Sequence, residues 1–245
     1  MWYHVKLRYL FLCWYTVGLV LMVFFEVPPW LEFSNGLFLV FYTLSLVETS
    51  LSVFESRRFF LSKAVIIASI TFTIEYIGIN TGFPFGEYYY YPTLGPLVLG
   101  VPFTIALAWV GVILNSLLLS NQRSKTIRAL ETGFWVILLD LILDPVAYVR
   151  NFWHWEAEGG FFGVPFVNFL SWGIIAACFS FLFPLQKIPA SNRIWAIRIY
   201  QLMILLFGLL AWKEELPIIA ALALFIILLC EGRHQLDYRQ EKQTL

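Results

Sequence analysis

Long apolar stretches dominate this chain and restrict the environments in which it can fold. Of its 245 residues, 60% are hydrophobic and 13% are charged, whereas soluble domains carry about 25% charged residues. A helix needs about 20 predominantly apolar residues to cross the hydrocarbon core of a bilayer. The candidate spans are residues 9–25, 36–54, 63–79, 94–119, 127–149, 161–183, 194–212 and 216–230. The sequence therefore predicts an all-α, polytopic membrane bundle, with one transmembrane domain over residues 1–245.

The distribution of charged residues among the loops predicts the number and orientation of the spans. Basic residues collect in cytoplasmic loops, and with eight spans they fall on one side: Lys6, Arg8, Arg57, Arg58, Lys63, Arg123, Lys125, Arg128, Lys187, Arg193, Arg198, Arg233, Arg239 and Lys242. The opposite loops hold most of the loop acids: Glu26, Glu32, Glu87, Glu156, Glu158, Glu214 and Glu215. This segregation predicts eight spans, both ends in the cytoplasm and a multi-pass location in the cell membrane. Seven spans is the alternative, because the last stretch is short and its Pro217 suits half of a tight hairpin.

Three carboxylates lie inside the predicted spans: Glu75, Asp140 and Asp144. An ionisable group at that depth costs about 2.5–3.5 kcal/mol on insertion scales, so its presence indicates a function. An ion or proton path, a buried structural pair and chemistry on an apolar substrate are the alternatives. Asp140 and Asp144 are one helical turn apart, so their side chains project about 6 Å from one another along one face. With this topology, these three carboxylates and Asn168 lie in the outer half of the bilayer, and Asn80 ends the third span.

Aromatic loops rich in Gly and Pro lie on the same side as these acids. One covers residues 78–92 and includes four consecutive tyrosines, and the other covers residues 144–165. Gly and Pro turn such backbones tightly. An aromatic belt at the membrane interface explains Trp and Tyr in many membrane proteins. A run of tyrosines beside tight turns favours the alternative, an aromatic-walled pocket over the buried acids.

Several motifs together resemble a known family. They are Glu75-Tyr76-Ile77-Gly78, Thr81-Gly82-Phe83-Pro84-Phe85-Gly86, Tyr88-Tyr89-Tyr90, Leu97 to Pro102 with Trp109, Asp140-Leu141-Ile142-Leu143-Asp144-Pro145-Val146-Ala147, Trp153-His154-Trp155, Gly163-Val164-Pro165, Asn168-Phe169 and Trp172. This set resembles the carotenoid biosynthesis membrane proteins, which include the bacterioruberin-pathway and γ-carotene hydratases. The resemblance covers residues 70–175. Outside this range, the two ends of the chain look generic.

The resemblance implies a carotenoid 1,2-hydratase, a hydro-lyase that adds water to the terminal double bond of an acyclic carotenoid such as lycopene. Its implied partners are the isoprenoid substrate, water and the lipid bilayer, with other carotenoid-pathway enzymes as a further class. No nucleic acid is expected as a partner. No cofactor is expected, since hydration changes no overall oxidation state, and no clean metal-ligand spacing is present.

Acid–base catalysis of this reaction assigns roles to the residues. Protonation of the alkene gives a tertiary cation, which water then captures. We expect Asp140 or Asp144 to be the general acid, sharing a proton, and Glu75 to be its partner or the base for water. Aromatic faces stabilise a nearby cation, and the predicted substrate-binding aromatics are Phe83, Phe85, Tyr88, Tyr90, Trp153, Trp155 and Trp172. Asn80 and Asn168 are predicted to hold the attacking water.

Two other functions remain open at this point. The spacing of Asp140 and Asp144 is superficially like half of the diphosphate-binding motif of intramembrane prenyltransferases, although the chain lacks a second Asp-rich motif. A small proton-coupled transporter or lipid-binding protein also fits buried carboxylates. Internal repeats are typical of many transporters, and this sequence has no convincing one.

Overall fold

The predicted spans correspond to α-helices in a computed structural model, which describes residues 6–54, 56–120, 124–156 and 159–243. The helices within these ranges are α1 Leu7–Phe24, α2 Phe33–Leu51, α3 Arg57–Thr81, α4 Phe103–Leu119, α5 Lys125–Val149, α6 Phe166–Ser180, α7 Ala190–Lys213 and α8 Pro217–Gln243. Of these described helices, α4 and α6 are apolar but shorter, and the other six are long and apolar enough to cross a membrane. The prediction of an all-α, polytopic membrane protein is confirmed.

Several predicted boundaries move for local reasons. The α4 helix begins at Phe103 rather than at 94, because residues 92–102 form a 3₁₀ turn and a hairpin of β2 Leu97–Val98 and β3 Val101–Pro102. Gly95 and Gly100 adopt positive φ angles there, which glycine tolerates without a steric penalty. At the end of the chain, α8 continues to Gln243. The alternative of a tight half-hairpin is therefore wrong, since Pro217 occupies the first helical position, where its missing N–H costs nothing.

Contacts between helix ends show that successive helices alternate in direction. The start of α1 meets the end of α2, where the Arg8 backbone N–H donates to Glu48 at 3.2 Å. The end of α8 meets the start of α5, where Arg233 lies 3.3 Å from Glu131. Both described ends of the chain are therefore on the face that carries most of the basic residues. Arg123, Glu158 and the side chain of Lys242 lie outside the described residues.

Arg128 is buried inside the bundle, although the charge pattern counts it with the loop cations. Its guanidinium donates to the carbonyls of Ser180, Phe183 and Pro184, each at 2.7 Å. Carbonyls at the end of a helix lack intrahelical partners, so Arg128 satisfies those that follow α6. This contact fixes the inner end of α6 against the start of α5.

Glycines allow close packing between the helices that carry the polar residues. A Cβ at Gly133 of α5 would lie 2.6 Å from the carbonyl oxygen of Gly173 on α6, and a Cβ at Gly173 would lie 2.5 Å from Ile137. Small residues permit such close approach of membrane helices. As a result, the backbones of α5 and α6 touch about two helical turns from Asp140 and three from Asp144 along α5.

Candidate active site

A small two-stranded sheet joins the two aromatic loops. Strand β1 Tyr88–Tyr90 pairs antiparallel with β4 Trp153–Trp155, so that Tyr88 lies opposite Trp155 and Tyr90 opposite Trp153. Alternate residues of a strand point to the same side, and these four rings face the bundle, whereas Tyr89 is 40% exposed. The rings therefore form a lid over the outer end of the helices, in agreement with the predicted aromatic wall.

Glu75 of α3 is buried and accepts hydrogen bonds from the lid and from α4. Its Oε2 accepts from the hydroxyls of Tyr88 and Tyr90, the latter at 2.9 Å. Its Oε1 accepts from Trp109 Nε1 at 2.7 Å. Burial raises the pKa of the Tyr88 and Tyr90 phenols above their usual range, so they stay protonated and donate. An ionised carboxylate is a pure acceptor, and this set of donors fits an ionised Glu75.

Trp109 also forms part of an aromatic wall. Its indole stacks on that of Trp172, with ring centroids 3.7 Å apart and planes inclined by 15°. Phe85 lies beside Trp109 at 6.3 Å and beside Tyr88 at 6.0 Å. The ring faces near the Glu75 carboxylate thus come from α4, α6 and the 78–92 loop.

Asp140, Asp144 and Asn168 form a second buried polar cluster, between α5 and α6. The Asn168 amide nitrogen donates to Asp140 Oδ2 at 3.1 Å and also to Asp144 Oδ2. Both aspartates are buried, and like charges so close to one another disfavour ionisation of both carboxyl groups.

Glu75 and Asp144 line the same cavity. Asp140 is not among the described residues of its lining. Predicted residues that do line it are Phe85, Tyr88, Tyr90, Trp153, Trp155, Asn168 and Trp172. The remaining lining is largely apolar and includes Tyr42, Leu143 and Phe152. The structure thus brings most of the predicted site residues to one enclosed, aromatic-lined space.

Some polar atoms of this cavity lack a hydrogen-bond partner within the described part of the chain. Asp144 Oδ1 receives no hydrogen bond from a donor group there, and Trp153 Nε1 donates to none. A buried polar group without a partner costs about 1–3 kcal/mol, so each indicates a role that a ligand, a proton or a water fulfils. Asp144 Oδ1 can accept a hydrogen bond or carry a proton, and Trp153 Nε1 can donate. Both residues line the same cavity.

Asn80 and Phe83 lie away from the cavity, contrary to their predicted role in it. The Asn80 amide donates to the Tyr76 carbonyl of its own helix at 2.7 Å, and Phe83 is 73% exposed. Five residues at 100° each place Asn80 about 140° around α3 from Glu75. Phe83 follows Gly82, whose positive φ ends the helix and turns the chain outward.

Trp109 is the residue that sequence reasoning missed. It belongs to the motifs that carry the family resemblance, but no site role was assigned to it. A Trp in the middle of a span is unusual, since membrane Trp residues favour the interface, and that position was the available signal. No group of three or more His, Cys, Asp or Glu side chains in the described ranges is arranged to hold a metal ion.

Comparisons with known proteins identify a family and a similar relative. A family model described as "Carotenoid biosynthesis protein" matches residues 34–230. A bisanhydrobacterioruberin hydratase from Haloarcula japonica is 40% identical over 115 residues, which cover 44% of this chain and 39% of that relative. The chain therefore matches about two fifths of the relative's length. No solved structure matches the chain.

Proposed function

Because this chain belongs to the carotenoid biosynthesis protein family, we propose that it is a carotenoid hydratase of the cell membrane, a hydro-lyase that adds water to the terminal double bond of an acyclic carotenoid end group. The relative's name adds support, since it is a hydratase whose named substrate belongs to the bacterioruberin series. The observation that carries the proposal is the shared cavity of Glu75 and Asp144, which is enclosed by aromatic rings and apolar side chains.

Asp144 is the general acid in this proposal, and Asp140 is its partner. Asp144 lines the cavity and has an oxygen that receives no hydrogen bond from a described donor group. Low dielectric disfavours the charged form of a carboxyl group, so in this proposal each aspartate carries a proton before the reaction. After Asp144 gives its proton to the less substituted alkene carbon, the resulting carboxylate is stabilised by the Asn168 amide and by the neighbouring Asp140 carboxyl group, which keeps its own proton. Donation therefore does not leave two buried anions side by side.

The cation formed at the other alkene carbon is stabilised by the cavity walls. Aromatic faces are worth about 2 kcal/mol or more to a desolvated cation, and Tyr88 and Trp172, which Trp109 supports by stacking, provide such faces. The Glu75 carboxylate adds a fixed negative charge at close range. Preorganised groups of this kind act strongly in a site without bulk water.

Water then captures the cation and loses a proton. The unpaired indole N–H of Trp153 is suited to hold this water, because Asn168 is engaged with the aspartates and Asn80 lies outside the cavity. Glu75 accepts the released proton, and a proton returns to the aspartate pair before the next turnover. One C–O bond and one C–H bond form, the C=C π bond breaks and one water is consumed. The sum is redox-neutral, so the reaction as proposed needs no cofactor.

Expression in a lycopene-producing host tests the proposal. We expect pigments heavier than lycopene by one or two waters, and growth in deuterated water should place deuterium on the carbon next to the new tertiary alcohol. Absence of any hydroxylated pigment would contradict the proposal. A prenylated product formed from Mg²⁺ and a prenyl diphosphate, or a pH-driven flux in liposomes that Asp144→Asn abolishes, would replace it with another function.

A further inference from the structure

A second cavity lies on the lipid side of the first, between α1, the start of α2 and α7. We call it the lateral cleft, and its empty volume is about 840 Å³. On α1 its lining residues are Trp14, Val17, Gly18, Leu21 and Met22. These positions follow the i, i+3, i+4, i+7, i+8 pattern of one helix face. They extend over about 12 Å of helix axis at 1.5 Å per residue.

The lateral cleft adjoins the acid cavity. Among the described residues, both cavities are lined by Leu39, Leu94, Phe152 and Phe207, which we call the neck. On its other side the cleft reaches the lipid-facing surface, where Val17 is 60% exposed. These apolar side chains therefore lie between the cleft and the cavity that Glu75 and Asp144 line.

The polar groups along the cleft are already used within the protein. The Ser34 carbonyl accepts from Trp14 Nε1 at 3.4 Å, and the Asn35 amide donates to the Thr93 carbonyl at 3.2 Å. The remaining lining is hydrocarbon and aromatic. A ligand that needs hydrogen bonds would lose them here, so the cleft suits a long apolar chain.

We propose that the lateral cleft is the binding subsite for the polyene chain of the substrate, which enters sideways from the outer half of the bilayer. This inference rests on the proposed hydration, because it assigns the cleft to the same substrate whose end group reaches the acids through the neck. Lipid tails are as apolar as the cleft, so the hydrophobic effect does not drive this transfer. Shape-matched packing holds the polyene, and a side chain that fills the cleft competes with it directly.

Gly18 offers a direct test, because a Cβ built there meets no atom within 4 Å. Gly18→Phe therefore adds a ring at a position of the cleft lining where the first added carbon meets no neighbouring atom. Gly232 of α8 likewise has nothing within 4 Å and is not among the described lining residues of either cavity, so Gly232→Phe is the matched control. Gly18→Leu is a smaller second variant in case the ring disturbs folding. All variants are purified in mild detergent from lycopene-producing cells, and their thermal midpoints are compared.

Two readouts separate this inference from the proposed function: lycopene bound per protein, and conversion to hydroxylated pigment. We expect Gly18→Phe to bind lycopene about tenfold less or worse, a change of about 1.4 kcal/mol, while Gly232→Phe matches the wild type. Normal binding and conversion in Gly18→Phe and Gly18→Leu would overturn the cleft assignment and leave hydration intact. If the wild type binds pigment and Gly18→Phe does not, but neither protein converts it, the subsite assignment stands and the proposed hydration is overturned. Wild-type protein that neither binds nor converts lycopene would overturn both.

Discussion

Trp109 donates its indole N–H to the Glu75 carboxylate at 2.7 Å, and this bond connects α4 to α3 in the middle of the bundle. The same indole stacks on Trp172 of α6. One side chain therefore orients the buried Glu75 carboxyl group and supports Trp172, whose ring lines the cavity. Glu75 is thereby held on the side of α3 that faces the cavity.

Trp109→Phe separates these two roles of the indole. The variant keeps an aromatic face against Trp172 but leaves Glu75 Oε1 without its donor. A buried acceptor without a partner costs about 1–3 kcal/mol, so we expect a lower thermal midpoint and a loss of hydratase activity. Trp172→Phe is the control, because the indole that donates to Glu75 belongs to Trp109 and not to Trp172. This variant should lose less thermal stability and less hydratase activity than Trp109→Phe. Equal effects in the two variants would argue against a special role for the indole N–H.

The acids should differ in importance. Asp144→Asn and Glu75→Gln each remove a group that transfers a proton, and we expect conversion to fall by about 10²-fold or more. Asp140→Asn removes a partner outside the cavity lining and should retain more activity than Asp144→Asn. Pigment analysis with normalisation to folded protein measures the difference.

Glu48→Gln is a matched control for these acid substitutions, since Glu48 lies near the inner end of α2 and accepts from the Arg8 backbone. It should retain wild-type conversion. Full activity in both Asp144→Asn and Glu75→Gln would remove the acid–base assignment, and a greater loss in Asp140→Asn than in Asp144→Asn would reverse the two aspartates.

Trp153→Phe tests how the attacking water is held. The ring remains in the lid, but the unpaired N–H is lost. We expect lycopene binding to stay near that of wild type while the conversion rate falls by about tenfold, the cost of roughly 1.4 kcal/mol in the barrier. If binding and rate fall together, Trp153 acts through the shape of the lid rather than through its N–H.

Gly133→Ala tests the close approach of α5 and α6. The new methyl group would lie 2.6 Å from the Gly173 carbonyl, and overpacking of this kind costs about 1–3 kcal/mol. Because the contact also sets the distance from Asn168 to both aspartates, we expect activity to fall together with the thermal midpoint. Gly232→Ala, at an open helical position, is the control and should leave both unchanged or raise the midpoint slightly. A normal midpoint in Gly133→Ala would show that the helices are free to separate.

Sequence patterns predicted the helices and the general location of the acids well. Hydropathy gave the spans because a bilayer leaves few alternatives to a helix. Boundaries failed where turn chemistry interrupted an apolar run, as at Gly95 and Gly100 before α4. Arg128 was counted as a loop cation because sequence alone does not show that the carbonyls after α6 surround it.

Closeness along the chain did not predict which residues belong to the site. Asn80 and Phe83 are close to Glu75 along the chain, yet helix rotation and the Gly82 turn direct them away from the cavity. Trp109 is 34 residues from Glu75 and is its hydrogen-bond partner. Contacts of this kind depend on how α3 and α4 pack, which no local pattern records.

The sequence by itself determined that this chain is a membrane protein with ionisable groups inside its spans, where burying them costs free energy. Both facts follow from the composition along single helices. The tertiary structure decided which aspartate reaches the cavity, which groups surround Glu75 and where the lateral cleft adjoins the cavity. Those outcomes arise from packing between helices distant in the chain, from the Gly133–Gly173 contact and from the pairing of β1 with β4. Each is a relation between residues far apart in sequence, and so it is fixed when the helices come together.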